Sequence, residues 1–384
     1  MQLALLPVTA ETLSHAALWV SAFVFVLFVL SRVLPIPYVQ GFPTPAGTRE
    51  SYRLTGLPLY LLTLGGVVAC FFGGVSLTPL LTHFWSLLIV ANVLAFTMLA
   101  WLFVRGRRRV ANIERDSKLP AFVHDLWFGI ELNPRLLGVD LKMFLYQPSL
   151  LGLAVMNSAF VFAQRDLHGF VTTEMWLYQA FTWSYLFTHY VKEHFMLSTW
   201  DILAENLGFM LVWGDLVYVP FLYSLCGWWI VDRGFAADGS YEAMPTWAYV
   251  ALALFHVTFH WIFREANWQK DRFKRDPERL IWGKKPETLE GRLLISGWWG
   301  IGRKINYTGE IGVYVSFALC AGLAAPWPYV LPLTLIVLLT QRAGRDDRRC
   351  RAKYGARWTG ARVFRVFPFV YRSSGRLVAA SSRP

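Results

Sequence analysis

The chain has 384 residues, of which 55% are apolar and only 16% charged. Average soluble domains carry about 25% charge, so disorder, a collagen-like repeat, a secreted disulfide scaffold and an ordinary cytosolic enzyme are excluded. The net charge of +12 leaves three classes of partner to weigh, namely nucleic acid, an acidic membrane surface and a phosphorylated ligand.

Apolar runs near the roughly 20 residues that a bilayer requires occur in chain order at about 14–36, 56–76, 82–104, 143–165, 174–197, 207–231 and 245–263. Two shorter runs, about 311–324 and 327–340, flank Pro326-Trp-Pro328 and read as a hairpin of short helices. The expected fold is therefore all-α, a polytopic membrane protein of about nine or ten segments. The first run is too long, and lacks the basic start, for a cleavable signal peptide.

Basic residues follow the third segment (Arg105, Arg107, Arg108, Arg109), eleven fill 264–310, and twelve lie in 341–384. With the N-terminus outside, alternation of the spans puts all three regions in the cytoplasm, as Arg and Lys placement requires. The loops 77–81, 166–173 and 232–244, poor in Lys and Arg, fall outside. A nucleic-acid partner does not suit a basic face that follows long runs of Leu, Val and Phe. In the tail the charges alternate with Cys350, Tyr354, Trp358, Phe364, Val366, Phe369 and Tyr371, which suits a folded site for an anion as well as lipid headgroups.

Polar residues within the apolar runs need a reason. Lys192-Glu-His194 reads as an interfacial helix end. Glu205 precedes the sixth run and Asp215 lies inside it, about 15 Å further on if the stretch is helical. Tyr223, eight residues beyond Asp215, would share a similar face. A carboxyl beside a phenol suits either proton delivery or a structural hydrogen bond between segments. His256 and His260 stand at i, i+4, but without further histidine boxes they read as packing or pore-lining residues, and no metal is expected. Glu131-Leu-Asn-Pro-Arg135 reads as a turn in which the acid and the Arg pair. Cys70, Cys226, Cys320 and Cys350 show neither zinc nor disulfide spacing. Around Ser296-Gly-Trp-Trp-Gly-Ile-Gly-Arg-Lys-Ile-Asn-Tyr307, glycines allow close backbone approach, paired tryptophans offer a stacking surface, and Arg303, Lys304, Asn306 and Tyr307 supply donors. A cofactor with phosphates and flat rings suits this stretch, as do lipid headgroups.

Several motifs stand in one order across about 120–371. They are Gly129-Ile-Glu-Leu-Asn-Pro-Arg135, Asp140-Leu-Lys142, Trp200-Asp201, Gly208-Phe-Met-Leu211, Gly214-Asp-Leu216, Val219-Pro-Phe-Leu-Tyr-Ser-Leu225 and Phe263-Arg-Glu-Ala-Asn-Trp-Gln-Lys270. Leu293-Leu-Ile-Ser-Gly-Trp-Trp-Gly300, Arg303-Lys-Ile-Asn-Tyr307, Arg345-Asp346 and Cys350-Arg-Ala-Lys-Tyr-Gly355 with Trp358 complete the series. On these the chain resembles the integral-membrane sterol reductases of the ergosterol and cholesterol pathways; the first hundred residues match only in hydrophobicity.

That resemblance implies reduction of a sterol carbon–carbon double bond by NADPH, with the cofactor pocket on the cytoplasmic side of the C-terminal half. It implies N-terminal membrane helices over 1–120, sterol-pocket helices over 121–263 and an NADPH-binding region over 264–384. The cofactor residues it implies are Lys270, Lys274, Leu294, Trp299, Arg303, Lys304, Ile305, Asn306, Tyr307, Asp346, Cys350, Arg351, Ala352, Lys353 and Tyr354. Two positions depart from the family pattern: Lys274 stands where Arg is common, losing its bidentate fork, and Ala361 stands where Tyr is common. An unactivated alkene needs a proton as well as a hydride, so Tyr223 is the expected donor, with Asp215 or Glu205 resupplying it and Trp213 and Tyr218 stabilising positive charge.

Gly214-Asp-Leu and Val219-Pro-Phe-Leu-Tyr-Ser-Leu favour the Δ14 branch, while other motifs are shared with the Δ24(28) and Δ7 branches. The expected membrane is the inner membrane in a bacterium or the endoplasmic reticulum in a eukaryote. Rival readings are an isoprenylcysteine-type methyltransferase, a steroid 5α-reductase relative and a non-catalytic sterol-binding protein. Sterol and membrane lipid are the expected partners; the oligomeric state is left open.

Overall fold

The computed structural model describes residues 3–44, 47–110, 113, 115, 119–236, 238–291 and 293–360, so Ala361 and the aromatic residues after it lie outside the described residues. The chain forms two compact units, Met1–Ala243 and Met244–Pro384.

In the first unit a reciprocal cap between Thr9 and Thr12 opens α1 (Ala10–Val33). An antiparallel pair, β1 (Tyr38–Gln40) and β2 (Ser51–Arg53), leads into α2 (Gly56–Phe72), α3 (Thr78–Thr82), α4 (Phe84–Arg109) and α5 (Ala121–Phe128). The tight hairpin of β3 (Arg135–Leu136) and β4 (Val139–Asp140) delivers the chain to α6 (Leu141–His168). Asp140 caps α6 by accepting from the Met143 N–H, and Gly169 ends it in the left-handed conformation. Most of α6 is buried, and it forms the centre of this unit.

α7 (Thr173–Val191) is followed by a 3₁₀ turn (Glu193–Ser198), α8 (Trp200–Leu203), α9 (Phe209–Trp213), a π-helix (Gly214–Leu222) and α10 (Leu225–Ile230). Pro220 lies inside the π-helix and lacks the N–H an α-helix would use, which favours the wider turn. Pro220 packs beside Gly152 of α6, where even a Cβ would make only ordinary contact with its ring at 3.6 Å.

The second unit begins with α11 (Thr246–Arg275), which continues twelve residues past the apolar run and so carries basic side chains that the sequence assigns to a connection. It continues with the hairpin of β5 (Thr288–Leu289) and β6 (Leu293–Leu294), α12 (Trp298–Ile301), α13 (Ile305–Cys320), a 3₁₀ turn (Trp327–Tyr329) and α14 (Val330–Gly360), bent at Gly355. Small residues let α11 and α13 touch along their backbones: a Cβ on Gly309 would lie 2.5 Å from the Phe263 nitrogen, and one on Gly312 2.1 Å from the Phe259 ring.

Among the described residues the fold is all-α apart from three short two-stranded hairpins and two isolated bridges. Each of the nine expected apolar runs contains a helix. Five among the described residues are long and apolar enough to cross a bilayer: α1, α4, α6, the stretch from Phe209 to Ile230, and α11. α2 is apolar but has only 17 residues.

Candidate functional site

In the first unit, α9 and the π-helix run through a core shared with α4 and α6. Asp215, at the start of the π-helix, is 7% exposed, with the Ser149 hydroxyl of α6 beside its carboxyl. Asp215 Oδ2 and Ser149 Oγ have no hydrogen-bond partner among the described residues. Tyr223 closes the same π-helix and meets Tyr218 edge to face at 5.5 Å, while Tyr218 meets Trp213 at 5.9 Å.

One expectation is corrected here. The stretch from Glu205 is not helical up to Phe209, so Asp215 lies only about 9 Å beyond the helix start. Asp215 and Tyr223 stand at the two ends of the π-helix, in wider turns than the α spacing expected from the sequence.

Glu205 is buried, in a loop held from two sides. The fully buried Lys142 donates to the carbonyls of Asp201 (2.7 Å) and Glu205 (2.5 Å). On the other side the backbones of 129–131 and 206–208 cross: Leu207 N donates to Glu131 O, and a Cβ on Gly208 would lie 2.2 Å from the Gly129 nitrogen. Only glycine permits that crossing. Glu131 pairs not with Arg135 but with Arg105 at 3.0 Å, and Arg135 reaches Glu50 at 3.1 Å, so the expected pair within the turn does not form. The β3–β4 hairpin turns Arg135 toward β2 instead.

An apolar cavity of about 360 Å³ opens between α1, α4, α6 and the π-helix, lined among others by Phe23, Leu87, Met156, Leu216 and Phe221. Its size and lining suit a rigid hydrocarbon ligand.

In the second unit, Lys270 and Lys274 stand one turn apart near the end of α11, both exposed. Lys274, Lys304 and Asp346 all lie within electrostatic reach of Lys270, and Asp271 lies within reach of Lys274. Lys304 forms an ion pair with Asp346, and Lys270 Nζ sits 5.6 Å from the Trp299 ring centre. Trp299 packs on the small core of Phe273, Ile281 and Leu294 and donates through Nε1 to Ala266 O at 2.8 Å. Trp298 makes edge contacts with Trp261 and Trp282, so these tryptophans serve different neighbours instead of forming one platform. Gly297 has φ +60°, and a Cβ there would strike Gln269 Oε1 at 2.4 Å, the oxygen that accepts from Trp298 N.

Ile305 is buried in the core. Asn306 donates to Asn267 Oδ1 at 3.4 Å while its own Oδ1 stays unpartnered among the described residues, and Tyr307 lies 5.4 Å from Lys304 Nζ. Asp347, rather than Asp346, anchors the tail. It accepts from Arg303 (3.1 Å), Arg351 (2.7 Å) and Trp358 Nε1 (2.8 Å), and the Arg303 guanidinium lies 4.0 Å from the Trp358 ring centre. Burial alone would raise the Asp347 carboxyl, but those hydrogen bonds and the two arginines bring it below the usual carboxylate range.

Cys350 and Tyr354 are half-buried one turn apart, and Tyr354 stacks on Trp358 at 6.4 Å. Burial pushes the Cys350 thiol up. Arg351, Ala352 and Lys353 lie on the exposed side of α14, so the helix divides that run between two faces. His256 hydrogen-bonds Ser316 Oγ at 2.8 Å and stacks on Phe317, and His260 lies 3.5 Å from Arg264 Nε. The two are held by packing, and no three metal-ligating side chains cluster among the described residues.

Sequence reasoning missed the burial of Lys142, the anchoring by Asp347 and the inward turn of Glu193. A lysine two residues after an N-cap aspartate at the head of an apolar run was the one signal for the first; the inward turn of Glu193 and the Arg303 contact of Asp347 arise from folding at long range.

The family model described as the Ergosterol biosynthesis ERG4/ERG24 family matches residues 4–371. The chain is 35% identical to a Delta(14)-sterol reductase of Arabidopsis thaliana over 93% of its length and 97% of the relative's. It is 36% identical to a Delta(14)-sterol reductase of Methylotuvimicrobium alcaliphilum over 93% and 83%. A 7-dehydrocholesterol reductase of Xenopus laevis is 31% identical over 92% and 79%.

Proposed function

Because the chain belongs to the Ergosterol biosynthesis ERG4/ERG24 family, we propose that it reduces a carbon–carbon double bond of a sterol, the Δ14 bond first, with NADPH as reductant. The reading of Δ14 rests on the two Delta(14)-sterol reductases matched across nearly the whole chain. The observation that carries the cofactor is the cluster of Lys270, Lys274 and Lys304, with Asp346 near Lys270 and Lys304 and Asp271 near Lys274. Three ammonium groups against two carboxylates leave an excess of positive charge, which phosphates would balance.

Lys270, Lys274 and Lys304 would hold the phosphates, and Trp299, Tyr307 and Tyr354 would border the flat rings. The unpartnered Asn306 Oδ1 would accept from an amide or hydroxyl. NADPH, when bound, supplies a hydride. The chain's own residues must then supply the proton, because an isolated alkene accepts hydride only as positive charge develops on carbon. Tyr223 is the proposed donor, Asp215 and Glu205 the carboxyls that resupply it, and Trp213 and Tyr218 the aromatic faces that favour the developing cation. Phe23, Met156, Leu216 and Phe221 would hold the sterol body in the apolar cavity.

The test is to incubate the purified, detergent-solubilised protein with NADPH and, separately, Δ14, Δ7 and Δ24 sterols. Mass spectrometry should show the Δ14 substrate heavier by two hydrogens. Reduction of only the Δ7 or Δ24 sterol would overturn the regiochemistry. No reduction of any of them, without NADPH binding, would overturn the whole reading.

A further inference from the structure

α5 is built inside out for a helix in water. Its polar residues His124 and Asp125 are buried, with Asp125 held by Arg107 at 3.2 Å and Arg115 at 2.7 Å, whereas Phe122, Val123 and Trp127 are exposed. Phe122 meets Phe103 edge to face at 5.4 Å, where the apolar run of α4 gives way to Arg107, Arg108 and Arg109. A short helix with its charge inward and its apolar side outward, at the basic end of a spanning helix, suits the boundary between lipid tails and headgroups.

From Trp127 a row of aromatic rings leads away from that boundary. Trp127 stacks on Phe209 at 5.1 Å, and the crossing of Gly129 with Gly208, which leaves no room for a Cβ, brings their two elements together. Phe209 stacks on Trp213 at 5.7 Å, and Tyr218 and Tyr223 follow at steps of 5.9 and 5.5 Å. The sequence spacing of these rings follows the helix type. Phe209 and Trp213 are four apart on α9, while Trp213, Tyr218 and Tyr223 are five apart along the π-helix and its two caps. In a continuous α-helix, residues five apart point about 140° away from each other. The wider π-turn brings them together, which gives this uncommon helix a use beyond accommodating Pro220. Trp213 is fixed by donation from Nε1 to Asn92 Oδ1 at 3.0 Å. Trp127 is exposed and the other four rings are half-buried, so the row is open along its length. A belt of interfacial aromatic residues stays level with the headgroups. This row instead follows the apolar stretch Phe209–Ile230 and ends at the proposed proton donor.

We infer that the row is the way in for the sterol. The substrate leaves the leaflet beside α5, passes over Trp127 and Phe209, and reaches Tyr223 along Trp213 and Tyr218. The inference rests on the proposed reduction and on Tyr223 as its donor. A sterol nucleus is flat, rigid and almost wholly hydrocarbon, so over this path it needs dispersion contact and no hydrogen-bond partner. Rings at nearly equal steps offer contacts of similar strength, and no single one holds the sterol against moving on. Trp127 meets the sterol before the chemistry, so it governs capture and leaves the reacting step alone.

The experiment has two arms, both on the full-length protein in lipid nanodiscs. In the first, a Δ14 sterol carrying a photoreactive diazirine is irradiated with the wild-type protein in the absence of NADPH. Adducts should form on the peptides that hold Trp127 and Phe209, and excess plain Δ14 sterol should suppress them. Adducts that the excess leaves in place would mark a lipid belt and overturn the inference, as would labelling that misses both peptides. In the second arm, Trp127→Ala should raise the sterol KM, expressed as mole fraction in the bilayer, by about three- to tenfold. Its kcat, NADPH affinity and melting temperature should stay as in the wild type, and Trp127→Phe, which keeps a ring, should restore most of the KM. A wild-type KM in Trp127→Ala overturns the inference, and so does a fall in kcat and melting temperature at unchanged KM, the signature of a merely structural tryptophan. If Trp127→Ala does not fold, the labelling of the wild-type protein decides alone. Failure of the underlying reading looks different, since the wild-type protein would then reduce no sterol at all.

Discussion

In the proposed reaction, Tyr223 and Asp215 are the residues whose substitution would separate chemistry from binding. Tyr223→Phe removes one oxygen from an edge-to-face aromatic pair, and Asp215→Asn keeps the side-chain volume beside Ser149. Each should lower turnover by about 10²–10⁴-fold while calorimetric NADPH affinity stays unchanged; unchanged turnover in both removes the assignment. The opposite split is expected at Lys304. Lys304→Ala takes one of three clustered ammonium groups, and loss of a charged hydrogen bond costs about 1.5–3 kcal/mol, so NADPH should bind roughly tenfold or more weakly, measured by titration. Asp347 sets a pH limit. Its carboxyl titrates lower in the folded chain than in the unfolded one, so its stabilisation is complete above the ordinary carboxylate range and is lost as pH falls through the lowered value. Thermal melting in detergent should show stability dropping on acidification below about pH 4. Asp347→Asn should lower the melting point at pH 7 and flatten that dependence.

At the scale of elements, the close seam of α11 and α13 organises the second unit, because Lys270 and Lys274 sit on one helix and Lys304 and Tyr307 at the start of the other. Gly309→Ala forces a methyl against the Phe263 backbone, which cannot move aside as a side-chain tip can. Overpacking of this kind costs about 1–3 kcal/mol, and the melting temperature should fall by several degrees. Gly344→Ala on α14, where a Cβ meets nothing within 4 Å, is the matched control and should be neutral or slightly stabilising. The π-helix has a corresponding part in the first unit. Its wide turn changes which residues of Gly214–Leu222 share a face; Leu216 and Pro220 line the apolar cavity, and Asp215 lies beside Ser149.

Across the whole molecule, the distribution of basic residues predicts that Arg107–Arg109 face the cytoplasm and the 232–244 loop faces outward. Arg108→Cys and Ser240→Cys are both at exposed positions. In sealed, right-side-out vesicles a membrane-impermeant maleimide should label the cysteine at 240 and spare the one at 108 until the membrane is opened. The reverse pattern would invert the topology.

Much of the helical framework was legible from composition and run length, because a bilayer permits spanning segments few alternatives to helices that satisfy their own backbone. The proposed cofactor residues Lys270, Trp299, Lys304 and Asp346 lie in short distinctive strings, which is why the sequence singles them out. Local sequence could not show that Glu131 would choose Arg105 over Arg135, that Asp347 would gather Arg303, Arg351 and Trp358, or that Glu193 would turn inward to Gly56 and Gln147. Those partners stand tens to more than a hundred residues apart along the chain, apart from Arg351 and Trp358. Hydropathy records which residues leave water, but a buried charge takes its partner from whichever helix packing brings within about 3 Å. That choice belonged to the tertiary structure alone.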